Sequence, residues 1–312
     1  MRVLVTGGAG FIGSHVVDRL LARGDRVLVI DNLATAREDN LHPHPSLAIV
    51  AGTIADPDLV HRAFADFQPE TVLHAAASYK DPQDWAEDAR TNVVGTVNVV
   101  QASERLRVRR FVYLQTALCY GLHPREQPIT LAHPLLPAGS SYAVSKTAGE
   151  HYTALSGLDF LSFRLANAYG PRNQSGPLPT FFQRLVAGKK CFVVNTRRDF
   201  IFVGDAVEVI VKALDGMGQR GFYHISSGRD CAIKELFDQT VAALRVALDE
   251  PVEVREHAPD DVFSILLDPS KTEQDFQWRA TTPLADGVRR TIEYYRAYGV
   301  TATFTHLRPV AQ

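Results

Sequence analysis

Short apolar runs that stop abruptly at a glycine or an acid set the pattern of the first half of this chain. Arg2–Thr6 reads as a buried strand, Gly7–Gly13 as a turn, and Ser14–Arg23 as a helix closed by Gly24. Arg26–Asp31 is the next strand and ends in an acid. Strand-like segments recur at Leu47–Val50, Thr71–Ala75, Phe111–Gln115 and Phe160–Leu165, with helical stretches between them. Such alternation predicts an α/β fold built on a doubly wound parallel sheet. After about residue 166 the pattern loosens and becomes rich in Pro and Gly, as in Gly170-Pro171 and Gly176-Pro177-Leu178-Pro179. The expected division is a sheet domain over 1–165, rejoined by segments near 200–225, and a smaller C-terminal lobe made mainly of 166–312. No internal repeat or low-complexity tract interrupts this.

Composition narrows the function classes. The 312 residues exceed one typical domain without requiring two. With 33 Lys and Arg against 35 Asp and Glu, the net charge of −2 advertises neither nucleic acid nor an anionic membrane as a partner. The basic cluster Arg105, Arg107, Arg109 and Arg110 reads as a solvated helix end favoured by the macrodipole. No secretory pattern opens the chain and no apolar run reaches membrane-spanning length, so a cytoplasmic protein is expected. Cys119, Cys191 and Cys231 are odd in number and widely spaced, which argues against a disulfide framework or a zinc site. His42-Pro43-His44 is the only local metal-like cluster, with no carboxylate at ligand spacing, and no metal is expected.

Two motifs carry the chemistry. Thr6-Gly7-Gly8-Ala9-Gly10-Phe11-Ile12-Gly13 follows a strand and opens a helix, and Asp31 closes the second strand. That context marks a Rossmann dinucleotide site: glycines admit the pyrophosphate, whose charge sits at the helix N-terminus. Asp31 would accept from the adenosine ribose and repel a 2′-phosphate, favouring NAD as cofactor. Downstream, Tyr142-Ala143-Val144-Ser145-Lys146 places a phenol and an ammonium four residues apart, on one helix face. A phenol is a poor base at neutral pH until a cation favours its anion. A tuned Tyr beside a nicotinamide is equipment for taking a proton from an alcohol as hydride leaves the same carbon.

With these residues the chain resembles an extended short-chain dehydrogenase/reductase of the nucleotide-sugar epimerase/dehydratase branch. The likeness rests on Thr6–Gly13, Asp31-Asn32, His74-Ala75-Ala76-Ala77, Asn92–Thr96, Thr116–Gly121, Tyr142–Lys146, Arg164–Arg172, Arg198-Asp199-Phe200 and Asp268–Lys271. It implies Tyr142 as general base and acid, Lys146 as its tuning partner, and Thr116 as the hydrogen-bond partner of the reacting hydroxyl. The implied cofactor set is Gly7, Gly10, Phe11, Ile12, Gly13, Asp31, Asn32, Thr53, Ile54, Ala75, Ala76, Ala77 and Asn92, with Tyr142 and Lys146. For the substrate it implies Thr116, Ala117, Leu118, Tyr142, Asn167, Arg172, Arg198 and Asp261, to which Lys80 adds a cation just past Ala77. Plainer roles compete: Thr116 capping a turn, His74 packing rather than titrating, Asn92 satisfying backbone, and Arg198 pairing with Asp199.

Absences select the reaction. Dehydratases and decarboxylating members of this branch carry an acid just after the catalytic Thr or Ser, whereas this chain reads Thr116-Ala117-Leu118-Cys119-Tyr120. The 3,5-epimerising members use a Cys where Leu118 stands, and Cys119 is expected to pack as a small hydrophobe. What remains is C4 epimerisation of a UDP-sugar through a transient 4-keto intermediate. Gln115–Gly121 and Tyr79–Trp85 resemble a subgroup of O-antigen and polysaccharide loci that includes UDP-glucose, UDP-glucuronate and UDP-N-acetylhexosamine 4-epimerases. Two positions depart from those relatives. Ala258 replaces a phosphate-binding Arg, leaving Arg255 or His257 as substitutes, and Gln174 replaces a uronate-binding Arg. A uronate carboxylate would then need Lys80, Arg172 or Arg197. The resemblance also implies a homodimer paired through the Tyr-x-x-x-Lys helix, with Val97, Val100, Leu106, Ala148, His151, Tyr152 and Leu155 as candidate contacts. The competing readings are another NDP-sugar oxidoreductase or dehydratase of the same family, including one that exchanges NAD(H) with solution, and a non-catalytic NAD-binding sensor.

Overall fold

The computed structural model describes residues 1–137, 139–257, 263–301 and 303. Its first half alternates β1 (Arg2–Thr6), α1 (Phe11–Ala22), β2 (Arg26–Asp31), β3 (Leu47–Ala51), α2 (Pro57–Phe67), β4 (Thr71–His74), α3 (Trp85–Asp88), α4 (Thr96–Arg105), β5 (Arg110–Thr116), α5 (Ser141–Leu155) and β6 (Phe160–Leu165). The later chain adds β7 (Asn167–Tyr169), α6 (Pro177–Val186), β8 (Phe192–Val194), β9 (Arg197–Phe202), α7 (Val203–Leu214) and β10 (Gly221–Ile225). It closes with β11 (Asp230–Ala232), α8 (Ile233–Leu244), β12 (Glu253–Arg255), α9 (Ser270–Phe276) and α10 (Leu284–Tyr298).

Seven strands form the main sheet in the order β10-β6-β5-β4-β1-β2-β3, and every pair is parallel. This is the Rossmann-type doubly wound sheet expected. Strand order reverses between β1 and β4, which opens a crevice beyond the strand ends at that point. Register puts the ends level there, with Thr6 opposite both Ile30 and His74. Along β1, Val3 and Val5 enter one core, with Val112, Phe163 and Ile210, while Leu4 enters the other, with Val72, Phe111 and Phe64. Both faces are covered by helices, which is why the strands read as unbroken apolar runs. Two small sheets, β11-β9-β7 and β12-β8, stand beside the main one. β7 follows β6 after the single residue Ala166, so the chain passes directly from main sheet to small sheet at the crevice. Among the described residues no helix is long and apolar enough to cross a membrane.

The expected bounds of β1, β2 and β6 hold to the residue. α1 starts at Phe11 instead of Ser14, because Gly10 in extended conformation already caps it from inside the glycine turn. The basic cluster is a correction. Only Arg105 lies in the last turn of α4, whereas Arg110 opens β5 and is buried. Its guanidinium donates to the carbonyls of Gly216, Met217 and Gly218 at 3.1 to 3.3 Å and pairs with Asp159 at 3.0 Å. It therefore ties the turn before β10 to the sheet.

An Arg110→Ala variant strands those carbonyls and is expected to lose about 2–4 kcal/mol of unfolding free energy, read by urea denaturation. A loss below about 0.5 kcal/mol would show that water replaces the guanidinium at no cost.

Candidate active site

A cavity of about 430 Å³ occupies the crevice beyond the ends of β1, β2, β4, β5 and β6. Its floor is the glycine turn. Gly7 takes φ +68°, and a Cβ there would meet Ala76 N at 2.6 Å. At Gly13 a Cβ would meet Gly7 O at 2.2 Å, whereas at Gly10 it would meet only Gly7 O, at 3.2 Å. Gly10 thus leaves its free side to the cavity. α1 begins there with no side-chain cap and no acid in its first turn, so its backbone N–H groups and positive dipole end suit a pyrophosphate. Asp31 accepts from Ala9 N at 2.9 Å and Leu33 N at 2.8 Å, which leaves lone pairs for a ribose. Burial raises its carboxyl above the ordinary range, against the pull of these backbone donors. These residues fit NAD.

The opposite wall carries Thr116 and the tyrosine–lysine pair. Ser140 caps α5, its Oγ accepting from Ala143 N at 3.4 Å, and Tyr142 and Lys146 follow on the face turned to the cavity. Lys146 is 2% exposed, and its Nζ sits 4.1 Å over the Tyr113 ring. Burial brings its ammonium down to about 7, with Glu150 opposing the fall. Burial also raises the Tyr142 phenol, and Tyr79 and Asp88 raise it further. For both groups the cost of charging away from water, and not the mutual tuning expected from their spacing, is the largest cause of the shift. Thr116 ends β5, lines the cavity, and its Oγ1 accepts from Leu118 N at 3.2 Å. It caps that turn, the plainer of its two expected roles, and also lines the cavity. His74 is fully buried between Thr6 Oγ1 at 2.6 Å and Thr96 Oγ1 at 2.9 Å, and burial, then Lys146, push its imidazole well below the usual range. It packs and does not titrate near neutrality.

The structure brings Gly7, Gly10, Phe11, Ile12, Gly13, Asp31, Asn32, Thr53, Ile54, Ala75, Ala76, Ala77, Lys80, Thr116, Tyr142, Lys146 and Asn167 to this one cavity. Others fall outside its lining. Asn92 is buried behind it, clasping Ser78 through both backbone groups and donating to Ser145 Oγ at 3.0 Å. It braces the walls. Ala117 is buried and Leu118 packs against the core, because the turn after Thr116 curls inward. Cys119 is fully buried there, as expected. Arg172 pairs with Asp18 of α1 at 2.7 Å, and Arg197 with Asp230 at 2.8 Å. Arg198 Nη1 donates to Arg197 O at 2.8 Å, while Asp199 is satisfied by Ser226, Ser227 and the Leu267 N–H. Lys80 Nζ lies 3.4 Å from Ala34 O, on the Asp31 side of the cavity. Arg255 is held by Glu253 at 2.8 Å, Gln174 Oε1 accepts from Thr301 Oγ1 at 2.7 Å, and Asp261 lies outside the described residues.

Sequence reasoning missed several wall residues. Tyr79 packs edge-on to the Tyr142 ring at 6.3 Å, and Gln115 donates to Lys146 O at 3.1 Å while accepting from Thr116 N at 2.8 Å. Tyr169, Asn173 and Ser175 close the far end. Tyr79, Gln115 and Tyr169 lie inside segments already singled out, and Asn173 and Ser175 just beyond one, so position in or beside a motif was the available signal. Among the described residues, no group of three His, Cys, Asp or Glu could hold a metal.

A family model described as the NAD dependent epimerase/dehydratase family matches residues 3–225. The structure is similar to the Bordetella bronchiseptica enzyme WbmH in complex with NAD+, at 56% identity and TM-score 0.93, over 96% of this chain and 99% of that one. It is also similar to WbmG of the same organism in complex with NAD and UDP, at 44% identity and TM-score 0.92, over 99% of each chain. A UDP-glucose 4-epimerase of Mycolicibacterium smegmatis is 34% identical over 95% of this chain and 99% of its own length.

Two glycine variants separate fold from binding. Gly13→Ala forces its Cβ onto backbone and is expected to lose about 1–3 kcal/mol of stability along with bound NAD. Gly10→Ala should keep its stability yet retain at most a tenth of the NAD per chain, measured by releasing and quantifying the nucleotide. Full NAD content in Gly10→Ala would mean the pyrophosphate does not rest on this turn.

Proposed function

This chain belongs to the NAD dependent epimerase/dehydratase family, and on that premise we propose that it inverts C4 of a UDP-sugar through a transient 4-keto intermediate. The carrying observation is the set Thr116, Tyr142 and Lys146 on one cavity wall, with a turn after Thr116 that supplies no acid or base. Bound NAD supplies a reversible hydride acceptor. Tyr142 takes the C4 hydroxyl proton while Thr116 Oγ1 hydrogen-bonds that oxygen. Lys146, as an ammonium, favours the phenolate and would hold the nicotinamide ribose of the cofactor. Once the keto sugar has turned over, Tyr142 returns its proton to the same oxygen, so the cycle needs no net oxidant. Loss of water from the sugar would need a second acid, and Ala117, Leu118, Cys119 and Tyr120 offer none in working position: Cys119 and Tyr120 are fully buried. The similarity to the M. smegmatis UDP-glucose 4-epimerase supports this reading, as does the UDP in the WbmG complex.

The nucleotide sugar is proposed to lie between the reacting wall and the segment from Asn167 to Leu178, whose Asn167, Asn173 and Ser175 line the same cavity. Lys80, from its place beside Ala34, is assigned to the cofactor side of the cleft, not to a uronate carboxylate. A homodimer is proposed through α5 and the helical turn before α4. Val144, Tyr152 and Leu155 expose 52%, 46% and 80% of their surfaces there, and Val94 is exposed beside them. Val100, a candidate contact from its sequence position, is buried in the monomer core.

Incubation with UDP-glucose, UDP-glucuronate or their N-acetyl counterparts in deuterated buffer, followed by proton NMR, tests the reaction. The expected result is a galacto-configured product with no deuterium at C4 and no turnover by Tyr142→Phe. Deuterium at C3 or C5 would mean elimination or enolisation, and the proposal would fail. Activity is expected to fall on the alkaline side as Lys146 loses its proton. For the dimer, Tyr152→Glu/Leu155→Glu should sediment as a folded monomer, and an unchanged sedimentation coefficient would remove that interface.

A further inference from the structure

Behind the reacting wall lies a closed chain of buried polar groups that proton transfer does not touch. Glu150, fully buried one turn after Lys146 on α5, accepts from Ser162 Oγ at 2.5 Å and from Arg164 Nε at 3.1 Å and Nη2 at 2.9 Å. Arg164 Nη1 donates to Tyr120 Oη at 2.8 Å, and that oxygen lies 2.6 Å from His224 Nε2. His224 Nδ1 in turn reaches Asp268 O at 2.8 Å. The chain joins α5, β6, β10 and the turn that begins at Thr116 and ends at Tyr120.

Taking five such groups out of water is costly, and an apolar cluster of the same shape would serve stability as well or better. What an apolar cluster lacks is a fixed negative charge one helical turn from Lys146. We propose that Glu150, locked in place by its ion pair with Arg164, is a positioning residue that favours the Lys146 ammonium and sets α5 against the Thr116 turn. The inference rests on the reading of Lys146 as part of the proton-transfer pair.

Charge near Lys146 supports the assignment. Lys146 faces Tyr113 on β5 and the imidazole of His74 on β4, which burial and Lys146 itself keep neutral. Asp88, on α3, acts on Tyr142, with Ser141 and Ser78 as its own partners. Glu150 faces Arg164 on β6, with Tyr113, Cys119 and Tyr120 around it; burial holds all three in their neutral forms. His224 is neutral as well, pushed down to about 4 by burial. Glu150 is thus the one fixed negative charge among these groups that acts on Lys146, and it opposes the desolvation that would discharge the ammonium.

The test titrates Lys146 in lysine-labelled holoenzyme by heteronuclear NMR, its signal assigned by its loss in Lys146→Ala. Glu150→Gln keeps the shape but removes the charge, and should lower the Lys146 midpoint by about one pH unit. Glu150→Leu/Arg164→Met removes both charges, keeps the site apolar if the single variant folds poorly, and should lower it by about half as much. Tyr120→Phe loosens the chain without changing its charge and should leave the midpoint in place while the melting temperature falls. An unchanged midpoint in both Glu150 variants, or equal shifts in Glu150→Gln and Tyr120→Phe, would overturn the inference. A midpoint that moves as stated in a protein that turns over no UDP-sugar would uphold the link and sink the proposed function instead.

Discussion

A lysine held almost wholly out of water is the constraint around which the rest of this structure is arranged. Lys146 is 2% exposed, and an isolated ammonium in that position would cost several kcal/mol. Three features offset this: the Tyr113 ring beneath Nζ, the Glu150 carboxylate one turn along the helix, and the open cavity into which the amine can reach. Each depends on the parallel sheet. β5 supplies Tyr113, Gln115 and Thr116, β6 supplies the Arg164 that holds Glu150, and the level ends of β1, β2 and β4 lay out the nucleotide floor opposite. Burial also raises the Tyr142 phenol above its ordinary range, with Tyr79 and Asp88 adding to the rise.

Much of this was legible in the sequence because it is encoded locally. Strands covered on both faces read as apolar runs, and β1, β2 and β6 fall where those runs lie. The glycine turn is likewise local: positive φ at Gly7 and the crowding at Gly13 leave no room for another residue. The Tyr-x-x-x-Lys pair needed only helical spacing to place both groups on one face.

What stayed hidden is pairing across elements. Nothing near Arg172 in sequence announces Asp18, and nothing near Arg110 announces the carbonyls before β10. Arginines nominated for an anionic ligand are therefore the least secure of sequence-based site residues, since any distant acid or carbonyl can claim them. Asn92 shows the same limit in milder form, bracing Ser78 and Ser145 from behind the cavity. Glu150 and Arg164 are conspicuous only once α5 is laid against β6.

We propose that oxidation and reduction occur on one carbon with the cofactor retained. Rapid mixing of the NAD-loaded protein with each UDP-sugar, followed by near-ultraviolet absorbance of reduced nicotinamide, tests it most directly. The account predicts that the signal rises to a fraction of the enzyme and then holds steady while the C4 epimer accumulates, with no reduced cofactor released. Reduced cofactor accumulating in solution in step with product would contradict it and make the protein a net dehydrogenase.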